Sequence, residues 1–299
     1  MAILVAGASG FLGSRLVESL VANGHEVIAL AKRPASDELI ANPQLHWLIG
    51  DIAQQTVDLA GFPEIEAVVH LAGASLGASQ DEHHFLRANE EVTVRLLQAV
   101  ADRTKRIIYA SSQAVYGDSR HLAVTEEFPL LADGSAYGCS KVNCENWLRW
   151  FQARHGGQYL ALRFCGFVEG GGLIDYIIDQ ALAGNQIDLY SQGKIRRDYL
   201  PVSDAISVLV EALTYIGEEE FLPVNIGSGQ IISAHELAIL ISTELLSTSL
   251  IELNEQPAAQ GDFVFCVDRA RQLFNFQPGS LAKAVRDYAL KRKATHGMS

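Results

Sequence analysis

Short apolar runs alternate, over the first 165 residues, with longer stretches in which apolar side chains return every three or four positions. The short runs, at 2–6, 25–30, 45–49, 67–71, 106–110 and 158–164, read as strands buried on both faces. The longer stretches read as helices. Residues 14–23 place Leu16, Val17, Leu20 and Val21 on one face, and residues 81–101 do the same with Phe85, Val92, Leu96, Leu97 and Val100. A third helix starts near Asp133-Gly134-Ser135 and runs to about His155. Strands that alternate with helices across short connections predict an α/β fold built on a doubly wound parallel sheet. Beyond residue 165 the rhythm becomes irregular. Gly170-Gly171-Gly172 reads as a loop, 173–183, 202–215 and 233–247 as helices, 187–190 as extended, 222–226 as a strand and 191–201 as a basic polar loop, and Leu281 to Lys291 closes the C-terminal end.

The first strand runs straight into Gly7, Gly10 and Gly13, and the first helix follows. Strand, glycine turn and helix together set a helix N-terminus against a phosphate. One glycine permits the tight turn, one lets a pyrophosphate approach the backbone, and one lets helix and strand pack closely. This predicts a dinucleotide-binding first half, with a second half that alternates between completing the sheet and building a lid over the strand C-termini, without a clean linker. Small residues at the fourth strand's end, Leu71, Ala72 and Gly73, would face the cofactor crevice. In such folds a carboxylate at the end of the second strand accepts bonds from a ribose 2′-hydroxyl, whereas a basic residue receives a 2′-phosphate. Here that strand runs into Ala31-Lys32-Arg33-Pro34, with no carboxylate along the chain before Asp37. Lys32 and Arg33 therefore favour NADP(H), with NAD(H) as the alternative.

Composition narrows the partners. The chain has 299 residues and a formal net charge of −12, from 23 basic and 35 acidic side chains. That balance repels nucleic acid and anionic membranes. No apolar run approaches the ~20 residues that span a bilayer, and the chain opens in a core strand, which predicts a cytoplasmic protein. Cys139, Cys144, Cys165 and Cys266 lack metal-ligand spacing, and the nine histidines form no HExxH set, so no metal is expected. His83-His84 reads as part of a solvated helix face.

A second signal is Ser112 at the end of the fifth strand, with Tyr137 and Lys141 one helical turn apart. A cation four residues beyond a tyrosine favours the phenolate form. Tyr137 could then exchange a proton with a carbinol or carbonyl oxygen that Ser112 holds, while a nicotinamide exchanges the hydride.

With these residues in view, the chain resembles the extended short-chain dehydrogenase/reductase superfamily, the NAD(P)-dependent epimerase/dehydratase family. The stretches that carry the resemblance are GASGFLG at 7–13, GDI at 50–52, HLAGA at 70–74, Asn89 within RANEEVTVRLLQA, YASSQAVYG at 109–117, YGCSK at 137–141, RRDYLPVSD at 196–204 and NIGSG at 225–229. The resemblance implies a Rossmann-like cofactor domain over 1–163, with 202–226 returning to it, a smaller C-terminal α/β substrate domain over 164–201 and 227–299, and a homodimer through the helices near 81–101 and 135–154. It implies Tyr137 as catalytic acid/base, Lys141 as its partner and Ser112 as ligand of the substrate oxygen. Gly7, Gly10, Phe11, Leu12 and Gly13 would hold the pyrophosphate, Asp51 and Ile52 the adenine, and Asn89, Tyr137 and Lys141 would complete the cofactor set. Ser112, Gln113 and Arg197 would touch a small-molecule substrate, a nucleotide-sugar, with Lys194 and Arg196 beside Arg197 making an anion site.

Dehydratases of that family carry Asp-Glu just after the catalytic Ser or Thr, and here those places are Gln113 and Ala114. What remains is redox at one carbon. The expectation is an NADP(H)-preferring reductase of a nucleotide-linked keto-sugar or similar carbonyl. A nucleotide-sugar 4-epimerase with tightly held NAD is the alternative, and a catalytically silent NADP-sensing regulator ranks last.

Overall fold

A computed structural model describes residues 1–33, 42–78, 81–117, 123–131, 134–258 and 261–296. Pro34, Asp37 and Asp133 lie outside the described residues. The chain divides into two units. The first holds residues 1–117, 129–163 and 206–224, and the second holds 118–128, 164–205 and 225–299.

The apolar runs of the first unit become strands β1 (Ala2–Ala6), β2 (Glu26–Ala31), β3 (Leu45–Ile49), β4 (Ile65–His70), β5 (Arg106–Ser112), β6 (Gln158–Phe164) and β7 (Phe221–Ile226). They form one sheet in the order β7-β6-β5-β4-β1-β2-β3. β1 pairs in parallel with both β2 and β4, so that Ala6 lies beside Leu30 on one side and His70 on the other. Strand order therefore reverses at β1, and a doubly wound sheet binds its ligand at such a switch point. All five residues of β1 are buried, because helices cover both faces of the sheet. Leu4, Ile28, Val68 and Ile107 pack against Leu96, Leu97 and Val100 and against Leu148 and Phe151.

Those apolar faces belong to α3 (Val92–Val100) and α4 (Ala136–His155), while α1 (Phe11–Ala22) follows the glycine turn. The helix expected over 81–101 is composite: α2 (Glu82–Phe85) passes through a π-helical stretch, Leu86–Glu91, into α3. A π-turn shifts side chains by one place around the axis, and a spacing of three and four does not reveal it. β5 extends two residues past the predicted end, so Ser112 is its last residue.

The second unit has its own core. Ile174, Ile177 and Ile178 of the helix Leu173–Ala183 meet Leu237, Ala238 and Ile241 of Ala234–Leu245, and Val285 and Ala289 of Leu281–His296. The predicted loop over 191–201 contains two short strands. Arg196–Arg197 pairs antiparallel with Ile232–Ser233, and Tyr199–Leu200 pairs in parallel with Gly166–Phe167. Two residues are too few to show a period of two, so these strands leave no pattern. The helix Asp268–Phe274 also escaped the periodicity. Among the described residues no helix is long and apolar enough to cross a membrane.

Candidate active site

The glycine turn is built by close approach. Gly7 has φ +86°, and a Cβ there would lie 2.7 Å from the Ala72 nitrogen. A Cβ on Gly13 would lie 2.0 Å from the Gly7 oxygen. The Gly7 and Ala8 amides both donate to the Leu30 carbonyl, at 2.9 and 3.1 Å. The turn is thus pinned between the ends of β2 and β4, beside Leu71, Ala72 and Gly73. Gly10 is the N-cap of α1 and, without a side chain, caps none of its amides. The first-turn N–H groups of α1 are oriented donors at the positive end of the helix dipole, and the N-cap offers no side chain that competes for them. That donor set fits a dinucleotide pyrophosphate.

At the ends of β2 and β3 the picture differs from the linear reading. Lys32 Nζ lies 3.0 Å from Asp51 Oδ2. Asp51 also accepts from the Ala53 amide at 3.1 Å and from Gln54 Nε2 at 3.0 Å. Burial works to raise the Asp51 carboxyl, but Lys32 and these donors outweigh it and hold the group below the ordinary aspartate value. No carboxylate follows Lys32 closely along the chain, yet one meets it in space because β2 and β3 are neighbours. Arg33 is exposed and Ile52 is buried.

Ser112 ends β5 and caps the 3-10 turn Gln113–Tyr116, its Oγ accepting from the Ala114 amide at 3.2 Å. The start of α4 is set against that same turn. Ser135 caps the helix through the Gly138 amide, and a Cβ on Gly138 would lie 2.5 Å from the Ala114 oxygen. Tyr137 and Lys141 thereby come to the β5 end with Ser112 and Gln113. Lys141 is buried, donates to the Ala110 carbonyl at 2.8 Å, and has its Nζ 5.8 Å from the centre of the Tyr137 ring. The Tyr137 ring meets Phe85 edge-on at 5.8 Å.

Asn89 is buried in the π-helical stretch. Its Oδ1 accepts from the Ala74 amide at 2.7 Å, and its Nδ2 donates to Ser140 Oγ at 2.8 Å. Ser140 in turn donates to the Tyr137 carbonyl at 2.8 Å. The Asn89 side chain thus ties the β4 loop to the helix that carries Tyr137. Sequence reasoning missed Ser140, which belongs to the YGCSK match, and His70, which belongs to HLAGA. His70 is fully buried at the end of β4. The Thr93 hydroxyl donates to Cys144 Sγ at 3.3 Å and so accepts from His70 Nε2 at 2.9 Å. Burial, reinforced by the Lys141 charge, pushes His70 down to about 3 and keeps it neutral.

Arg197 belongs to the second unit, on the short strand paired with Ile232–Ser233. The next residue, Asp198, accepts from the Ser228 amide and hydroxyl at 2.9 and 2.6 Å and from the Gly229 amide at 3.1 Å. Burial still pushes its carboxyl up to about 6. The Arg196 guanidinium is committed to Asp262, at 3.0 and 2.6 Å. Lys194 lines a groove of about 660 Å³ that also contains His235 and the carboxylates of Glu236 and Glu255. Lys194 and Arg196 thus line one groove, and the Asp262 carboxylate feels the charges of both Arg196 and Arg197.

A model of the NAD dependent epimerase/dehydratase family matches residues 3–227. The chain belongs to that family. It is similar to a putative UDP-glucose 4-epimerase of Methanocaldococcus jannaschii, 29% identical over 81% of this chain and 82% of the relative. It is also similar to a dTDP-4-dehydro-6-deoxy-D-allose reductase of Streptomyces, 25% identical over 96% and 94%. The solved structure of MoeE5 in complex with UDP-glucose and NAD is 25% identical, covers 100% of both chains and has a TM-score of 0.84. As an enzyme of the epimerase/dehydratase family, the chain has the family's seven-stranded sheet, with Gly7, Leu71, Ala72 and Gly73 at its switch point.

Proposed function

We propose that this enzyme interconverts the C4 configuration of a nucleotide-linked hexose, as a 4-epimerase that keeps NAD bound. The carrying observation is the meeting of Ser112, Tyr137 and Lys141 at the β5 end, in the unit that also presents the uncapped N-terminus of α1. Gln113 and Ala114, just after Ser112, offer no carboxylate for removing water, so the chemistry reduces to redox at one carbon. The Lys32–Asp51 pair supports NAD over NADP, because the lysine that would receive a 2′-phosphate is already matched by a carboxylate. The name of the Methanocaldococcus jannaschii relative supports the same reading, and that of the Streptomyces relative the reduction considered below.

Gly7, Gly10, Phe11, Leu12 and Gly13 would hold the pyrophosphate, Asp51 and Ile52 the adenine side, and Leu71, Ala72, Gly73, Asn89 and Lys141 the remainder. A nicotinamide held by these residues would supply the hydride acceptor and donor for the substrate carbon. Tyr137 removes the proton of the substrate hydroxyl and later restores it, and Lys141 steadies the phenolate. Ser112 Oγ donates to the substrate oxygen and Gln113 borders it; the second unit offers Arg197 as a cation suited to a diphosphate.

A second reading keeps NADP(H) and ketone reduction. It rests on Ala31, the uncharged last residue of β2, and on the exposed Arg33. We place the enzyme in the cytoplasm, where its four free cysteines would stay reduced. We pair it as a homodimer through α2–α3 and α4, whose Trp147 and Trp150 are exposed.

The deciding experiment releases the dinucleotide from freshly purified protein and then assays UDP-galactose and UDP-glucose interconversion. Retained NAD with interconversion is expected. An empty site that prefers NADPH about tenfold would move the enzyme to the reductase reading. Tyr137→Phe should bind dinucleotide normally and lose most turnover; near-native turnover would sink the mechanism.

A further inference from the structure

The best shielded charges of the first unit lie beneath the catalytic side chains. Glu145, on α4 one turn beyond Lys141, and Arg163, on β6, are 0% and 1% exposed. Arg163 Nε and Nη2 donate to the two carboxylate oxygens at 2.9 and 2.7 Å. Glu145 Oε1 also accepts from the Ser111 hydroxyl at 2.6 Å. Arg163 Nη1 donates to the Tyr116 phenol oxygen at 2.7 Å. Burial alone would push the Arg163 guanidinium down, but the bonds and charge of Glu145 outweigh it and hold the group above its ordinary value.

Such a pair is a weak source of stability, since apolar side chains of similar volume commonly serve as well or better. What a bidentate carboxylate–guanidinium pair adds is direction, because its two parallel bonds permit one geometry. Here that geometry reaches four elements at once. Ser111 is the neighbour of Ser112 on β5. Tyr116 closes the 3-10 turn that Ser112 caps. Glu145 follows Tyr137 and Lys141 at successive steps of four, on the same face of α4. β6 supplies the arginine. The two halves of the catalytic set, a strand end and a helix, thus share one buried anchor.

We infer that Glu145 and Arg163 are positioning residues that fix Ser112 on β5 against Tyr137 and Lys141 on α4. The inference takes the roles of these three residues from the proposed function. Only one of its two readouts needs the proposed substrate.

The test replaces the four side chains together, as Ser111→Ala/Tyr116→Phe/Glu145→Leu/Arg163→Met, so that none of the four is left facing a partner removed from among them. Melting temperature, NADH affinity by fluorescence titration after the retained dinucleotide is released, and kcat and KM for UDP-galactose with NAD restored are measured against the wild type. The expected variant melts within a few degrees of the wild type. Its NADH affinity falls about fivefold as Lys141 loosens. Its kcat falls about 100-fold with KM nearly unchanged, as expected for reacting groups displaced by about 1 Å. A shift in either readout at unchanged melting temperature supports the inference. A folded variant with wild-type affinity and wild-type kcat overturns it. If the wild type turns over no hexose, the proposed function fails and NADH affinity alone decides the inference. If the fourfold variant does not fold, Ser111→Ala/Tyr116→Phe takes its place. A threefold or larger fall in kcat or NADH affinity then supports the inference, and no change overturns it.

Discussion

Two ion pairs of the first unit look alike in distance and differ in everything else. Lys32–Asp51 closes at 3.0 Å, with side-chain exposures of 72% and 21%. Glu145–Arg163 closes at 2.7 Å with both partners shielded. In the first, water competes for each charge and the pair is adjustable, so it biases the choice of cofactor by engaging Lys32 without fixing the fold around it. In the second, neither charge has another place to go, and the pair dictates where four elements meet. The difference teaches that ion-pair distance alone says little. Exposure decides whether a pair acts as an adjustable contact for a ligand or as fixed scaffolding.

The harshest way to break the comparison is Arg163→Ala. It strands the Glu145 carboxylate in the core and should cost about 3–5 kcal/mol in urea unfolding; a cost below 1 kcal/mol would show that Glu145 finds water. Acid probes a buried group without a counter-charge. His70 is held near 3, well below the ordinary 6.5, so it stabilises the fold above pH 6.5 and loses that contribution as pH falls toward 3. Stability should drop by about 1.4 kcal/mol per pH unit in that window from this group alone. His70→Gln should flatten the slope, and an unchanged slope would remove His70 from the account.

The exposed pair should answer in affinity rather than stability. Asp51→Asn releases Lys32 for a 2′-phosphate and should raise the NADPH-to-NADH preference about five- to tenfold, near 1 kcal/mol, read by parallel titrations. The same substitution in a Lys32→Ala background should do much less; equal effects in both backgrounds would show that the two residues act separately. Smallest of all, Lys32→Ala alone should change unfolding free energy by less than about 0.5 kcal/mol.

The parts of the site that were legible are those whose chemistry sits in consecutive or helically spaced residues. The glycine turn needs Gly7 and Gly13 because backbone atoms of Ala72 and Gly7 occupy the space of their side chains. Tyr137 and Lys141 share a helical face by spacing alone. The short strands at Arg196–Arg197 and Tyr199–Leu200 were not legible, since each depends on a partner strand remote in sequence.

The sequence by itself determined the alternating β/α order, the buried strands and the glycine turn, because each follows from local sterics and from a periodic need to bury apolar side chains. It also determined the family, through motifs kept in order. Only the tertiary structure decided which charges are free. Asp51 lies nineteen places from Lys32, and Arg163 lies eighteen from Glu145, yet each pair is in contact. Nothing in a linear pattern tells two such pairs apart. Pairing between β2 and β3 brings the first together at the surface, and packing of α4 onto the sheet buries the second, so strand order and burial set what each charge does.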